Sequence, residues 1–156
     1  MRVFRIVREK YLESGLSGRG AQLSSGFRWN SLGTPMVYAA ESRSLAVLEV
    51  AVHLDLSADL PTDRYLVGIQ IPDDLYFLTL QKSDLPAGWD SKPPERLTQQ
   101  MGDSFIQGTL SAVLRVPSSI IQDEYNYLLN TSHKDFAKIK SDDPVHFGFD
   151  NRLNLT

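Results

Sequence analysis

Three side chains in one short segment could do chemistry together. Arg28 stands between aromatics in Phe27-Arg28-Trp29-Asn30, Tyr38 falls inside the apolar run Met36 to Ala40, and Glu49 is the one carboxylate between Leu45 and Leu54. A carboxylate in such an apolar run is costly to bury unless a cationic or polar group meets it, and Arg28 is the nearest upstream cation in an apolar setting. Each residue has a plain reading and a chemical one. Glu49 is either half of a structural ion pair with an arginine, or turned to solvent by rotation of its helix, or an acid held to meet positive charge developing on a substrate. Arg28 either lays its stem between Phe27 and Trp29 with its head in solvent, or clamps a phosphate or carboxylate with its planar fork. Tyr38 either fills core or stacks on a heteroaromatic ligand.

Further along, Ser118 follows a strand-like segment but lacks the G-x-S-x-G elbow of a nucleophile, so its hydroxyl suits a hydrogen-bond donor. Asn126 and Asn130 interrupt an apolar run, where amides commonly cap local backbone. His53, His133 and His146 show no metal-ligand spacing, so no metal is assigned. With no cysteine in the chain, thiolate zinc sites, disulfides and cysteine nucleophiles are excluded. Gly15, Gly18 and Gly20 resemble a phosphate loop only loosely, because no Lys-Ser/Thr follows. Residue chemistry alone therefore gives a pocket with an arginine, a carboxylate, a tyrosine and amide or hydroxyl donors, compatible with a dianionic heteroaromatic ligand.

The elements that must position these groups follow from periodicity. Val3 to Val7 alternates as a strand with Arg5 opposite Phe4 and Ile6, and residues 14–26 form a Gly/Ser-rich loop. Met36 to Ala40 reads as a buried strand. Ser42 caps a helix from Arg43 to about His53, on which Glu49 shares the core-facing stripe of Leu45, Leu48 and Val52. Because Ala46, Val47, Val50 and Ala51 make its other face apolar too, this helix is expected to be buried all round. Arg64 to Ile71, Leu75 to Leu80, Ser111 to Val116, Ile120 to Ile121, Tyr125 to Leu129 and Val145 to Phe149 are further strand candidates. A helix is expected over 95–107 after the Pro-rich loop 81–94, and a short one around Phe136 and Ile139. Strands outnumber helices without strict alternation, which predicts an α+β fold with a mixed or mostly antiparallel sheet.

At 156 residues, 42% of them hydrophobic, the chain fits a single domain over 1–156 able to bury a core. Its net charge of −3, with scattered Lys and Arg, disfavours direct nucleic-acid binding. No stretch is long and apolar enough to span a membrane, and charges interrupt the opening MRVFRIVREKY, so a cytoplasmic protein is expected.

The motifs resemble those of the RES-domain toxins of Xre–RES toxin–antitoxin pairs. Arg28-Trp29-Asn30, Gly33, Tyr38, Leu45-Ala46, Glu49, His53, Val116-Pro117-Ser118, Asn126, Asn130 and His133 match the family pattern in order across nearly the whole chain. Val3-Phe4-Arg5 and Phe149-Asp150-Asn151-Arg152 fit as well. Phe27 and Thr131 depart from the glycine and proline usual at those places. The resemblance implies an ADP-ribosyltransferase-like fold and an enzyme that depletes NAD⁺ by cleaving its nicotinamide–ribose bond, with water or phosphate as acceptor. It further implies Arg28, Glu49 and Ser118 as catalytic residues, and Tyr38, Arg5, Asn126 and Asn130 as NAD-binding. NAD would be substrate, with no metal. The partner would be an Xre-type helix-turn-helix antitoxin covering the active site, and such toxins often pair as homodimers. Two alternatives stay open: ADP-ribose transfer onto a protein, and a non-catalytic partner-binding module of the same fold.

Overall fold

A computed structural model describes residues 1–25, 27–55 and 57–153; Gly26, at the end of the expected loop, Leu56 and residues 154–156 lie outside the described residues. In chain order the elements are β1 (Arg2–Arg8), α1 (Arg19–Gln22), β2 (Val37–Ala40), α2 (Arg43–Ala51), β3 (Arg64–Gln70), β4 (Leu78–Thr79), α3 (Arg96–Gly108), β5 (Val113–Pro117), β6 (Tyr125–Leu129), β7 (Lys140–Ser141) and β8 (Val145–Phe147). The strands form one sheet in the order β4-β5-β6-β2-β1-β3-β7, with β8 also pairing β3. Among the described residues only β4 and β5 pair in parallel, so the sheet is mixed and mostly antiparallel, as the pattern predicts.

Alternation along the strands divides the core between two faces. Val3, Val37, Ala39, Ile69, Val113, Tyr127 and Leu129 pack together on one. The other face carries two separate clusters. Trp29, Met36, Trp89, Phe105, Leu114, Val116 and Leu128 make the larger. The smaller seats α2, with Ala40, Leu45 and Ala46 against Phe4, Ile6 and Ile121.

A seam in the sheet falls between these clusters. β1 pairs with β3 along its whole length, from Arg2 opposite Gln70 to Arg8 opposite Arg64. Against β2, its register is Phe4 opposite Ala40 alone. The two strands part on either side of that pair, and the gap becomes the floor of a cleft.

Local expectations hold where the signals are strong. Ser42 caps α2, its hydroxyl accepting a hydrogen bond from Leu45 N at 3.0 Å. Three expectations need correction. First, α2 is not buried all round: Leu45 and Ala46 are, but Leu48 and Val52 are 38% and 46% exposed, because the helix sits at the rim of the cleft and only one face meets the sheet. Second, Ile120 and Ile121 belong to a turn, where their backbone N–H groups bond the Ser118 hydroxyl instead of a ladder. Third, the 14–26 loop includes the helical turn α1.

Helix α3 braces the arginine loop. Gln99 Nε2 donates to Phe27 O at 3.0 Å, and Asp103 accepts from Ser31 N at 3.1 Å and from its hydroxyl. Gly102 lets the helix backbone approach so closely that a Cβ there would collide with the Trp29 carbonyl. Gly102→Ala, worth about 1 kcal/mol of stabilisation in an open helix, should here destabilise by about 1–3 kcal/mol through overpacking. Chemical denaturation reads the sign directly.

Candidate active site

The cleft has a volume of about 820 Å³, within the range of ligand sites. Phe4, Arg5 and Ile6 of β1 form its floor with Tyr38 and Ala40 of β2; α2 and the turn after it supply one wall through Ala46, Glu49 and His53, and Arg28 closes the other side. The segment carrying Arg28, Tyr38 and Glu49 thus folds its three chemical groups into one hollow.

Glu49 projects from α2 toward β6 and accepts a hydrogen bond from Asn126 Nδ2 at 2.5 Å. Burial raises its pKa; the Asn126 hydrogen bond opposes that most, followed by His53 and Arg28 electrostatically and a hydrogen bond from Ser118. Ser118 is buried and its oxygen accepts from Ile120 N and Ile121 N, each at 3.1 Å, so its proton is left for Glu49. Among the described residues no cation lies within ion-pair distance of Glu49. Neutral dipoles hold the acid in place.

Arg28 is held in a parallel way. Its Nη1 donates to Trp89 O at 2.5 Å and Ser91 O at 3.1 Å, and Nη2 reaches Asp90 O at 3.5 Å. The guanidinium is half-buried, which lowers its pKa, while Asp90 and Glu49 pull it back up. The expected alternative of a head group free in solvent is therefore replaced by a clamp on loop 81–94, which Trp89 pins against Trp29 with rings 6.3 Å apart.

The Tyr38 hydroxyl points inward, donating to Asn30 Oδ1 at 2.7 Å and accepting from Trp29 N at 3.2 Å. Burial raises its pKa, so the phenol stays protonated. Its ring packs on Phe27 at 4.9 Å and presents a flat surface to the cleft. Asn30 is fully buried and donates to the carbonyls of Ala21, Ser31 and Thr34, fixing the turn after Arg28.

Arg5 lies on the opposite face from Phe4 and Ile6, yet reaches the cleft because β1 and β2 part beside it. Its Nη1 donates to Gly15 O at 2.5 Å, its Nε has no protein partner, and burial pushes its pKa down to about 10. Asn126 lines the cleft, whereas Asn130 does not. The Asn130 amide is fully buried and spent on backbone, donating to Ile106 O and accepting from Ser132 N. His133 is likewise structural, its Nδ1 accepting from Asp135 N.

The sequence reading passed over Arg8, Arg64, Lys92 and His53 as cleft residues, yet all four line it. Strand alternation puts Arg8 on the face of Phe4 and Ile6, but its pairing opposite Arg64 depends on a register no local pattern reveals. With them, the cleft holds five arginine and lysine side chains against the single carboxylate of Glu49. It is a cationic pocket in a chain of net negative charge. Among the described residues no group of His, Asp and Glu could hold a metal ion, and no helix is long and apolar enough to cross a membrane.

The RES domain profile matches residues 2–150, almost the whole chain. The chain belongs to the RES domain family. It is 42% identical over 154 residues to Toxin Res of Photorhabdus laumondii, covering 98% of this chain and 97% of that one. It is 41% identical over 145 residues to the Prs ADP-ribosylating toxin of a Sphingobium species, covering 92% and 89%. A chain in the crystal structure of the M. tuberculosis MbcT–MbcA toxin–antitoxin complex superposes with a TM-score of 0.68 at 18% identity, covering 94% of this chain and 83% of that one. The RES domain here thus has the expected α+β fold with a mixed, mostly antiparallel sheet, shared with that toxin–antitoxin chain.

The environment of Glu49 sets the sign of a pH effect. A folded-state pKa above the unfolded one means the native state binds the proton more tightly. The contribution to stability is then present at low pH and is lost as pH rises from the ordinary Glu range through the raised value. Glu49→Gln should therefore gain stability over the parent at pH 7 but not at pH 4. Denaturation midpoints at the two pH values test this; an ion-paired carboxylate would give the opposite sign.

Proposed function

We propose that this RES domain is the toxin of a toxin–antitoxin pair and depletes NAD⁺ by cleaving the bond between nicotinamide and ribose. The observation that carries this reading is a lone, neutrally held carboxylate facing a cation-lined cleft of dinucleotide size. Arg28, with Arg5 lining the cleft near it, would hold the pyrophosphate through charge-assisted hydrogen bonds. The Tyr38 ring would pack on the nicotinamide or its ribose. Glu49 would bind the ribose hydroxyls and stabilise the oxocarbenium-like transition state. Asn126 and Ser118 would keep its oxygens aimed.

The bond from ribose C1′ to the pyridinium nitrogen breaks heterolytically, and its electron pair leaves with nicotinamide, which departs neutral. No general acid is needed. Water, or phosphate, then bonds to C1′; with water, the surplus proton passes to solvent. The ionised form of Glu49 is the active one, so activity falls as pH drops through its raised pKa.

A second reading has one observation in its favour: the 41%-identical relative is named for ADP-ribosylating Prs. The same first half-reaction would then deliver ADP-ribose to a protein nucleophile. An antitoxin partner is supported by the toxin–antitoxin complex of the structural neighbour and by exposed Leu48 and Val52 on the cleft rim. A helix-turn-helix protein covering the cleft would bury them.

Purified protein should release nicotinamide from NAD⁺, with Arg28→Ala and Glu49→Ala each losing about a hundredfold or more. Undiminished activity in either variant removes that residue's role. Label from ADP-ribose-labelled NAD⁺ appearing on Prs, rather than in free ADP-ribose, would favour the second reading. The acid limb of the pH–rate profile should lie above the ordinary Glu pKa of about 4.3. Asn126→Leu, which removes the hydrogen bond lowering the Glu49 pKa, should move that limb to still higher pH.

A further inference from the structure

Two arginines of the cleft remain without a part in this reaction. Arg8 and Arg64 sit directly opposite each other on β1 and β3, and both line the cleft. Like charges directly opposite across a strand pair are unfavourable. Arg64 is only 8% exposed, which deepens the cost. One carboxylate serves both: Asp63 Oδ1 meets Arg64 Nη1, and Asp63 Oδ2 lies 3.6 Å from Arg8 Nε. One positive charge is left over at this end of the cleft.

The position of this end is also informative. Phe4 is level with Ala40, and Ala40 with Asn126, the residue that holds Glu49. Arg8 is four residues further along β1, roughly 13 Å at the rise of a strand. Arg28 and Arg5 line the same cleft. A dinucleotide with its nicotinamide ribose at Glu49 and its pyrophosphate at Arg28 and Arg5 would bring its adenosine ribose toward Arg8 and Arg64. Arginine is also the side chain that receives a ribose 2′-phosphate in dinucleotide sites generally.

We propose that Arg8 and Arg64 form a second anion subsite that takes the 2′-phosphate of a phosphorylated nicotinamide dinucleotide, making NADP⁺ a substrate of this cleft. The placement rests on the NAD⁺-cleaving reading above, and the bonds broken and formed are the same. The competing account is a purely structural ion-pair network at the strand ends.

Binding separates the two accounts without requiring turnover. Calorimetry should show adenosine 2′,5′-bisphosphate binding the full chain about tenfold or more tighter than adenosine 5′-monophosphate. Arg8→Ala, at a half-exposed side chain, should abolish that preference, as should Arg64→Gln if it folds. Arg96→Ala removes the same charge from the exposed start of α3 and should leave the preference intact. Equal affinity of the two probes in the parent protein, or a preference surviving Arg8→Ala, overturns the subsite. In turnover, the ratio of kcat/KM for NADP⁺ to that for NAD⁺ should fall about tenfold in Arg8→Ala. Cleavage of NAD⁺ but not NADP⁺ by the parent overturns the substrate assignment. A bisphosphate preference lost in Arg8→Ala, with neither dinucleotide cleaved, would leave the subsite standing and remove the catalytic reading.

Discussion

The structure depends on how one carboxylate and one guanidinium are kept in a shared hollow without neutralising each other. A direct ion pair between Glu49 and Arg28 would have satisfied both most simply. Instead Glu49 is held by an amide and a hydroxyl, and Arg28 by backbone carbonyls of the 89–91 loop. Neutral dipoles fix a charge in space while leaving its field available to a ligand. The consequence is electrostatic tension, seen in the opposite displacement of the two pKa values by burial. A ligand with an anionic bridge and a cationic ring would relieve both ends at once.

That arrangement is possible because the sheet opens. If β1 and β2 paired along their length, Arg5 would be sealed beneath the sheet and Glu49 would face a flat surface. The single register pair at Phe4 and Ala40 leaves room on either side. The gap is kept from closing by packing outside it, with α2 seated on Phe4 and Ile6 at one flank and the Trp29–Trp89 cluster at the other. The walls are thus two independent hydrophobic clusters, and the cleft is the space neither fills.

The loop bearing Arg28 has no regular structure of its own, yet it is closely specified. Asn30 ties three of its neighbouring carbonyls together and receives the Tyr38 hydroxyl. Helix α3 grips the same loop through Gln99 and Asp103, with Gly102 allowing close backbone approach. An irregular segment that must hold a cation to a fixed place needs such bonds, because no ladder supplies them.

Sequence alone determined the elements with strong local periodicity or capping: β1, β2, β3, β6 and the start of α2 at Ser42. It also singled out Arg28, Tyr38 and Glu49, because charged and aromatic groups set in apolar runs stand out by composition. It misjudged α2, since an all-apolar helix at the edge of a cleft has the same pattern as one in the centre of a core. Asn126 and Asn130 looked alike in the chain; only pairing with β2 brings the first to Glu49, while the second turns to backbone. The pairing of Arg8 with Arg64 carries no local mark, because a strand register between residues far apart in the chain is set by the summed fit of side chains along both strands. Local chemistry is written in the order of residues, but which charges share a pocket is decided by long-range pairing.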